Sequence, residues 1–359
     1  MLIRSYTLRF VTPAFLGNAE QAGQWRTPPI KALLRQWWRV AFAADQRGAV
    51  NAATVNAMRA AEGALFGVAA DSEGDSRKSQ VRIRFGRWDK GRPTPWGGAD
   101  SERVAHKEVK NREGRAVPVG PMLYLGYGPL EFAQGQTSFK AGAPIQADEN
   151  GELGLAFPAG TEGALLDKAL WLMHHYGTLG GRSRNGWGSF SLTPADGSTP
   201  VLAGPLDERL IAKWQDALKL DWPHAIGRDA LAPLIWQTEP LADWKAVMRR
   251  LAEIKIGLRT QFVFPNVRPP HPQPLARHWL SYPITNHTTS AWDRNARLPN
   301  SLRFKVRAER DGQLRGVIFH VPCLPPPQFK PDLKAIVAVW QQVHTFLALP
   351  AQRLQRITA

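Results

Sequence analysis

The stretch Gly177-Thr-Leu-Gly-Gly-Arg-Ser-Arg-Asn-Gly-Trp-Gly188 constrains this chain more than any other. An apolar run with helical spacing, Leu165 to Tyr176, leads directly into it, so a helix must stop there and the backbone must turn hard. Glycine reaches positive φ without steric cost and lets another backbone come close. A loop of that kind can aim several N–H groups at one anion, and Arg182 and Arg184 would add forked donors that match phosphate. Two readings follow. In one, Gly180, Gly181, Arg182, Ser183, Arg184, Asn185, Gly186 and Trp187 grip a polynucleotide backbone. In the other, the segment is a turn between a helix and a strand, with its arginines in solvent. The loop alone does not choose between them.

Charge bears on the choice. The 359 residues carry 46 Lys+Arg against 30 Asp+Glu, a formal +16. Such a balance predicts attraction to polyanions and says nothing about fold. Nucleic acid is the favoured partner, although a membrane surface or an acidic protein would satisfy the same number. Hydrophobic residues at 43% suffice for packed cores, and the length predicts two domains. The single cysteine, Cys323, leaves no internal disulfide and fits a reducing compartment. With no signal peptide and no apolar run of about 18 residues, a cytoplasmic protein that does not engage a membrane is expected.

In chain order, Leu2 to Val11 alternates as a strand, and Thr27-Pro28-Pro29 reads as a hydroxyl-capped helix start. The helix runs from Ile30 to Ala44 with an apolar stripe of Ile30, Leu33, Leu34, Trp37 and Ala41. Lys31, Arg35 and Arg39 recur every four residues as a basic ladder. Beside Trp38 they could track consecutive phosphates, with an aromatic available for a base; equally, they could be a solvated face whose stems cover apolar surface. No acidic residue lies between Ile30 and Ala44 to pair them, which favours binding.

A second helix is expected over Ala52 to Phe66, then a polar loop in which Asp71, Glu73 and Asp75 lack the remaining ligands of a calcium loop. Val81 to Trp88 alternates as a strand, and Lys90 to Val117, the core of an insertion over 89–117, reads as long and mobile. Strand-like pieces at Met122 to Tyr127 and Gly151 to Phe157, a helix from Glu162 to Tyr176 and a strand at Ser189 to Leu192 complete the first half. This is an α+β chain in the βαββαβ ferredoxin-like (RRM-like) order, with helical and loop insertions.

A Pro/Gly/Ser/Ala stretch near Thr193 to Pro205 reads as a linker, which divides the chain into domains 1–195 and 205–359. Beyond it come helices over Leu206 to Leu220 and Leu241 to Phe262, and an irregular proline-rich segment, Asn266 to Pro283. Strands Ser301 to Arg307 and Gly316 to Pro322 flank an Asp311-Gly312 turn, and a last helix spans Pro331 to Leu347. A second, degenerate ferredoxin-like unit is the expectation.

Catalytic motifs are missing. The glycine loop has no lysine for a Walker loop, and it follows a helix where a dinucleotide fingerprint follows a strand. His174 and His175 are adjacent and diverge on a helix, so they make a poor metal pair. No catalytic residue, metal ligand, cofactor or small-molecule substrate is indicated. The segment Asn185 to Leu192 partly imitates the signature of RNA-recognition modules, but it lies after the helix, outside the central strand that presents stacking rings in those modules.

Three segments together carry a resemblance: Thr12-Pro13-Ala-Phe-Leu-Gly17, then Arg26-Thr-Pro-Pro-Ile-Lys31 with Leu34-Arg35-Gln-Trp-Trp-Arg39, then Gly180-Gly-Arg-Ser-Arg-Asn-Gly-Trp-Gly-Ser189. Their order resembles the RAMP superfamily of CRISPR proteins and, within it, the family of the first RAMP subunit of the Cmr (type III-B) effector. Arg297-Leu-Pro-Asn-Ser-Leu-Arg-Phe-Lys-Val306 and Gly316-Val-Ile-Phe-His-Val-Pro322 extend it into the second half. The resemblance implies two ferredoxin-like domains and a subunit that, with other Cmr subunits, holds guide RNA and target RNA near the guide 3′ end. It also implies that this subunit is not the nuclease. RAMP relatives that mature CRISPR transcripts often use a histidine near the first helix, and here no histidine precedes His106. A metal-independent endoribonuclease, or a structural adaptor without RNA contacts, remains the alternative.

Overall fold

A computed structural model describes residues 1–46, 50–69, 76–92, 100, 102–309 and 311–358. The acidic alternation Asp71, Glu73 and Asp75 lies outside the described residues. The first half runs β1 (Leu2–Phe10), α1 (Pro28–Asp45), α2 (Ala52–Phe66), β2 (Arg82–Phe85), α3 (Pro121–Gly126), β3 (Leu130–Ala133), β4 (Gln136–Phe139), β5 (Asn150–Phe157), α4 (Gly163–Tyr176) and β6 (Phe190–Pro194). The second continues with β7 (Ile211–Lys213), α5 (Trp214–Ala217), β8 (Ile226–Arg228), β9 (Ile235–Gln237), α6 (Trp244–Thr260), β10 (Leu302–Ala308), β11 (Leu314–His320), α7 (Leu333–Ala348) and β12 (Gln355–Arg356).

Two four-stranded sheets organise these elements, in the orders β2-β5-β1-β6 and β10-β11-β9-β12. Every pairing within them is antiparallel. Counted along the chain, each sheet places its second, third, first and fourth strands side by side. In each, helices connect the first strand to the second and the third to the fourth. The two halves therefore share one topology. The second is hard to see in sequence because β9 and β12 are only three and two residues long, too short for an alternating pattern to show.

Local chemistry explains how several helices start. Asn51 and Thr54 form a reciprocal cap on α2, while Asp243 and Asp332 cap α6 and α7 through the N–H groups of Ala246 and Ala335. Thr27 does not cap α1 as expected, because its own backbone is already helical (φ −83°, ψ −27°) and its hydroxyl makes no capping bond. The proline start supplies the pre-set φ instead.

Three expectations are corrected. Met122 to Tyr127 is not a strand: Pro121 opens α3, and the Asp100 carboxylate accepts from the N–H groups of Met122 (2.9 Å) and Leu123 (3.1 Å). This N-terminal partner comes from a distant segment, so no local motif announces the helix. Leu206 to Leu220 is not one helix either. Ile211–Lys213 pairs in parallel with Ile226–Arg228, and only Trp214–Ala217 is α-helical. A ladder partner outweighs local helix propensity there. The insertion, finally, is tied down over its described part beyond residue 101. Val104 pairs with Val119, Lys110 pairs with Ala116, and Glu108 binds Arg277 of the second half through both guanidinium nitrogens.

The two hydrophobic cores do not follow the halves of the chain. Phe319 and Val317 of β11 join the core of β1, α1 and α4, whereas Trp187, Met122 and Leu130 join the core of α6, α7 and β10. The glycine loop lies where these cores meet.

Candidate nucleic-acid interface

The loop begins as α4 ends, with the Gly177 N–H on the Met173 carbonyl. Its backbone then folds onto the segment after β1: Gly181 N–H donates to Phe15 O (2.9 Å) and Gly188 N–H to Pro13 O (2.8 Å). Inside the loop, Leu179 N–H reaches Gly188 O (2.9 Å), Asn185 N–H reaches Arg182 O (2.9 Å) and Gly186 N–H reaches Ser183 O (3.1 Å). Two glycines are required by this closeness. A Cβ on Gly188 (φ 64°) would stand 1.9 Å from Leu179 O, and one on Gly180 (φ 87°) 2.5 Å from Phe15 O. The glycines thus lay one backbone on another, and the N–H groups of Gly181, Asn185 and Gly186 are held by protein carbonyls, not aimed outward.

The loop side chains separate into two kinds. Trp187 is fully buried, packed between Phe15 (ring centroids 5.0 Å) and Trp244 (6.1 Å), and cannot stack on a base. Arg184 is drawn inward: its Nη1 donates to Asn300 O (2.7 Å), and its own carbonyl accepts from Phe304 N–H (3.1 Å). Burial pushes its pKa down. Asn185 donates from Nδ2 to Leu125 O (2.7 Å) and accepts from Lys255 Nζ. Arg182, in left-handed backbone at φ 55°, is exposed, and Ser183 is half-buried beside it.

The ladder on α1 has a partner that lies on another helix. Glu62 of α2, 3% exposed, accepts from Arg35 Nη2 (3.0 Å) and Arg39 Nη2 (3.0 Å). Burial pushes the Glu62 carboxyl up, but the two guanidiniums outweigh it and hold the pKa below the ordinary carboxylate value. An acid 27 residues from Arg35 and 23 from Arg39, on the next helix, does what no residue within α1 could. Trp38, the proposed stacking ring, is buried against Phe42 (5.1 Å) and Phe66 (5.7 Å). Lys31 is half-buried.

What the loop does expose is one wall of a cleft of about 560 Å³. Arg182 and Asn185 contribute from the loop, Lys255 and Arg259 from α6, and Tyr124 and Tyr127 from α3 and its end. His106 and Glu108 of the insertion, Arg277 and His287 line the rest. Lys255 is buried, with its Nζ on Asn185 Oδ1 and 5.9 Å from the Phe304 ring. Burial, then Arg259 and Arg182, pull its pKa well below the ordinary lysine value. Glu108 is the one carboxylate among the described lining residues, and Arg277 already holds it. Burial raises its carboxyl pKa, and the Arg277 hydrogen bond and charge more than reverse this.

Sequence reasoning missed Lys255 and Arg259. A signal was there: Lys255 interrupts the stripe Leu251, Ile254, Leu258, so α6 carries a cation on its core-facing side. Among the described residues, no group of three His, Cys, Asp or Glu side chains could hold a metal ion, and no helix is long and apolar enough to cross a membrane.

A family model for the RAMP superfamily matches residues 7–191, more than half of the chain, and the protein belongs to that superfamily. No curated protein sequence matches it. The fold is similar to that of Cmr1 from Pyrococcus furiosus in its apo form, at 15% identity and TM-score 0.44, covering 100% of this chain and 99% of the other. It is also similar to a chain of a type III-B Cmr-beta assembly bound to cognate target RNA and AMPPnP. There the identity is 12% and the TM-score 0.47, over 96% of this chain and 99% of that one.

Proposed function

We propose that this protein is an RNA-binding subunit of a type III-B CRISPR ribonucleoprotein effector, holding guide RNA, target RNA or both near the guide 3′ end beside other Cmr subunits. The observation that carries the reading is the cleft beside the glycine loop, where Arg182, Lys255 and Arg259 meet with no free carboxylate among the described lining residues. A cationic concavity on a chain of formal charge +16 attracts a phosphate backbone and raises its local concentration. Superfamily membership and the motif segments quoted above support the same partner. The two sheets of identical strand order support reading the halves 1–195 and 205–359 as two ferredoxin-like units, the second reduced.

Within this reading the protein holds RNA and does not cut it. The backbone of residues 180–188 acts as a frame: it fixes Arg182 at the rim, while Arg184 and Trp187 anchor the frame from behind. The ladder contributes Lys31 to the basic surface, with Arg35 and Arg39 held by Glu62. The test is binding of unstructured RNA to the full chain over a salt series. Arg182→Gln should weaken every sequence by a similar factor and reduce the slope of log affinity against log salt by about 1. An unchanged slope would remove Arg182 from the RNA surface.

A further inference from the structure

The cleft holds more positive charge than a passing phosphodiester can neutralise. Lys255, Arg182 and Arg259 act on one another electrostatically, and the one carboxylate among the described lining residues, Glu108, is held by Arg277. Taking a cation out of water is costly unless a counter-charge follows it in. Lys255 is 8% exposed, and its Nζ has a neutral amide oxygen as the protein acceptor. A phosphodiester brings a single negative charge, whereas a phosphate monoester brings about −1.5 to −2 and three acceptor oxygens. Planar guanidiniums from two directions and an ammonium from the floor suit such a group. At the mouth stands Tyr127, 58% exposed beside Arg182, a free aromatic face of the kind on which a base stacks.

We infer that this cleft is a pocket for a phosphate monoester on a nucleotide, with the phosphate on Lys255, Arg182 and Arg259 and the base against Tyr127. The inference rests on the RNA-binding reading for its preferred source, the phosphorylated end of an RNA strand. A free mononucleotide offers the same chemistry.

The test uses the full chain and one RNA sequence in three forms: 5′-phosphate, 3′-phosphate, and hydroxyl at both ends. A mononucleotide and inorganic phosphate are titrated in parallel. One phosphorylated end should bind about tenfold more tightly than the hydroxyl-ended RNA, the gain expected from charge-assisted hydrogen bonds. Lys255→Met and Arg259→Gln should each abolish that preference, so that phosphorylated and hydroxyl-ended RNA bind each variant with equal affinity. Lys255→Met removes a buried charge, and Arg259→Gln checks the site should that variant fail to fold. Equal affinity for all three RNAs overturns the pocket while leaving the RNA reading intact. Binding of the mononucleotide without binding of any RNA supports the pocket and defeats the RNA reading. Equal retention of the phosphate preference in both variants also overturns the assignment.

Discussion

Lys305 Nζ, on β10 of the second sheet, lies 2.8 Å from the carbonyl oxygen of Gly177, the first residue of the glycine loop. The same ammonium donates to His174 O (2.6 Å) and Phe190 O (2.9 Å). It therefore caps the C-terminal carbonyls of α4, where the helix dipole favours a cation, and ties the loop's two ends to the other half of the chain. Burial pulls its pKa well down; the carbonyl oxygens offset that cost.

Lys305→Met should therefore destabilise the protein despite being nearly isosteric. Several buried carbonyls lose their donor at once, which costs about 3 kcal/mol. Urea denaturation of the two proteins measures it, and a loss under about 1 kcal/mol would mean that the loop closes without this lysine.

The two loop arginines should respond differently to the same change. Arg184→Met removes the donor to Asn300 O and is expected to lower stability by about 2 kcal/mol. Arg182→Met, at an exposed position, should stay within about 0.5 kcal/mol of wild type. Thermal melts compare them; equal losses would contradict the division between anchor and rim.

For the ladder, Arg35→Gln with Arg39→Gln leaves Glu62 buried without a cation, a change that costs about 3–5 kcal/mol. Adding Glu62→Gln should restore most of the stability. The triple variant then reports on binding without misfolding, and its RNA affinity is expected within about threefold of wild type. A tenfold loss in the triple variant would return Arg35 and Arg39 to the RNA surface.

Acid should destabilise the fold through its buried histidines. Burial, with Lys305 and His175, pulls His174 down to about 3 from the ordinary 6.5, and burial does the same to His344, also to about 3. Both are neutral when folded, and the unfolded chain protonates them near 6.5. The unfolded state thus binds more protons below that value. Their contribution is complete above about pH 6.5 and shrinks as pH falls toward 3, by at most about 1.4 kcal/mol per pH unit for each group. Denaturation midpoints should fall between about pH 7 and pH 5. A constant midpoint would show that these histidines accept protons without unfolding.

Sequence alone determined what depends on periodicity and short-range caps: β1, α1, α2, α4, α6, α7 and the β10–β11 hairpin. Net charge and the position of the glycine loop were likewise legible, because glycine spacing and cation count need no partner to be read. Tertiary structure decided everything that depends on a distant group. Glu62 turned two rungs of the ladder, Arg35 and Arg39, into a paired seam between helices, and Asp100 turned a strand-like run into α3. The carbonyls of Pro13 and Phe15 take the N–H groups of Gly188 and Gly181, which the glycine pattern alone would offer to an anion. The reason is common to all three: a buried polar group must find a partner wherever the chain brings one. Composition fixes that such partners are needed, and only the packing of the two halves settles which residues they are. The cleft arose in the same way: Arg182 of the loop lies far in sequence from Lys255 and Arg259 of α6, and the fold alone brings the loop and the helix together.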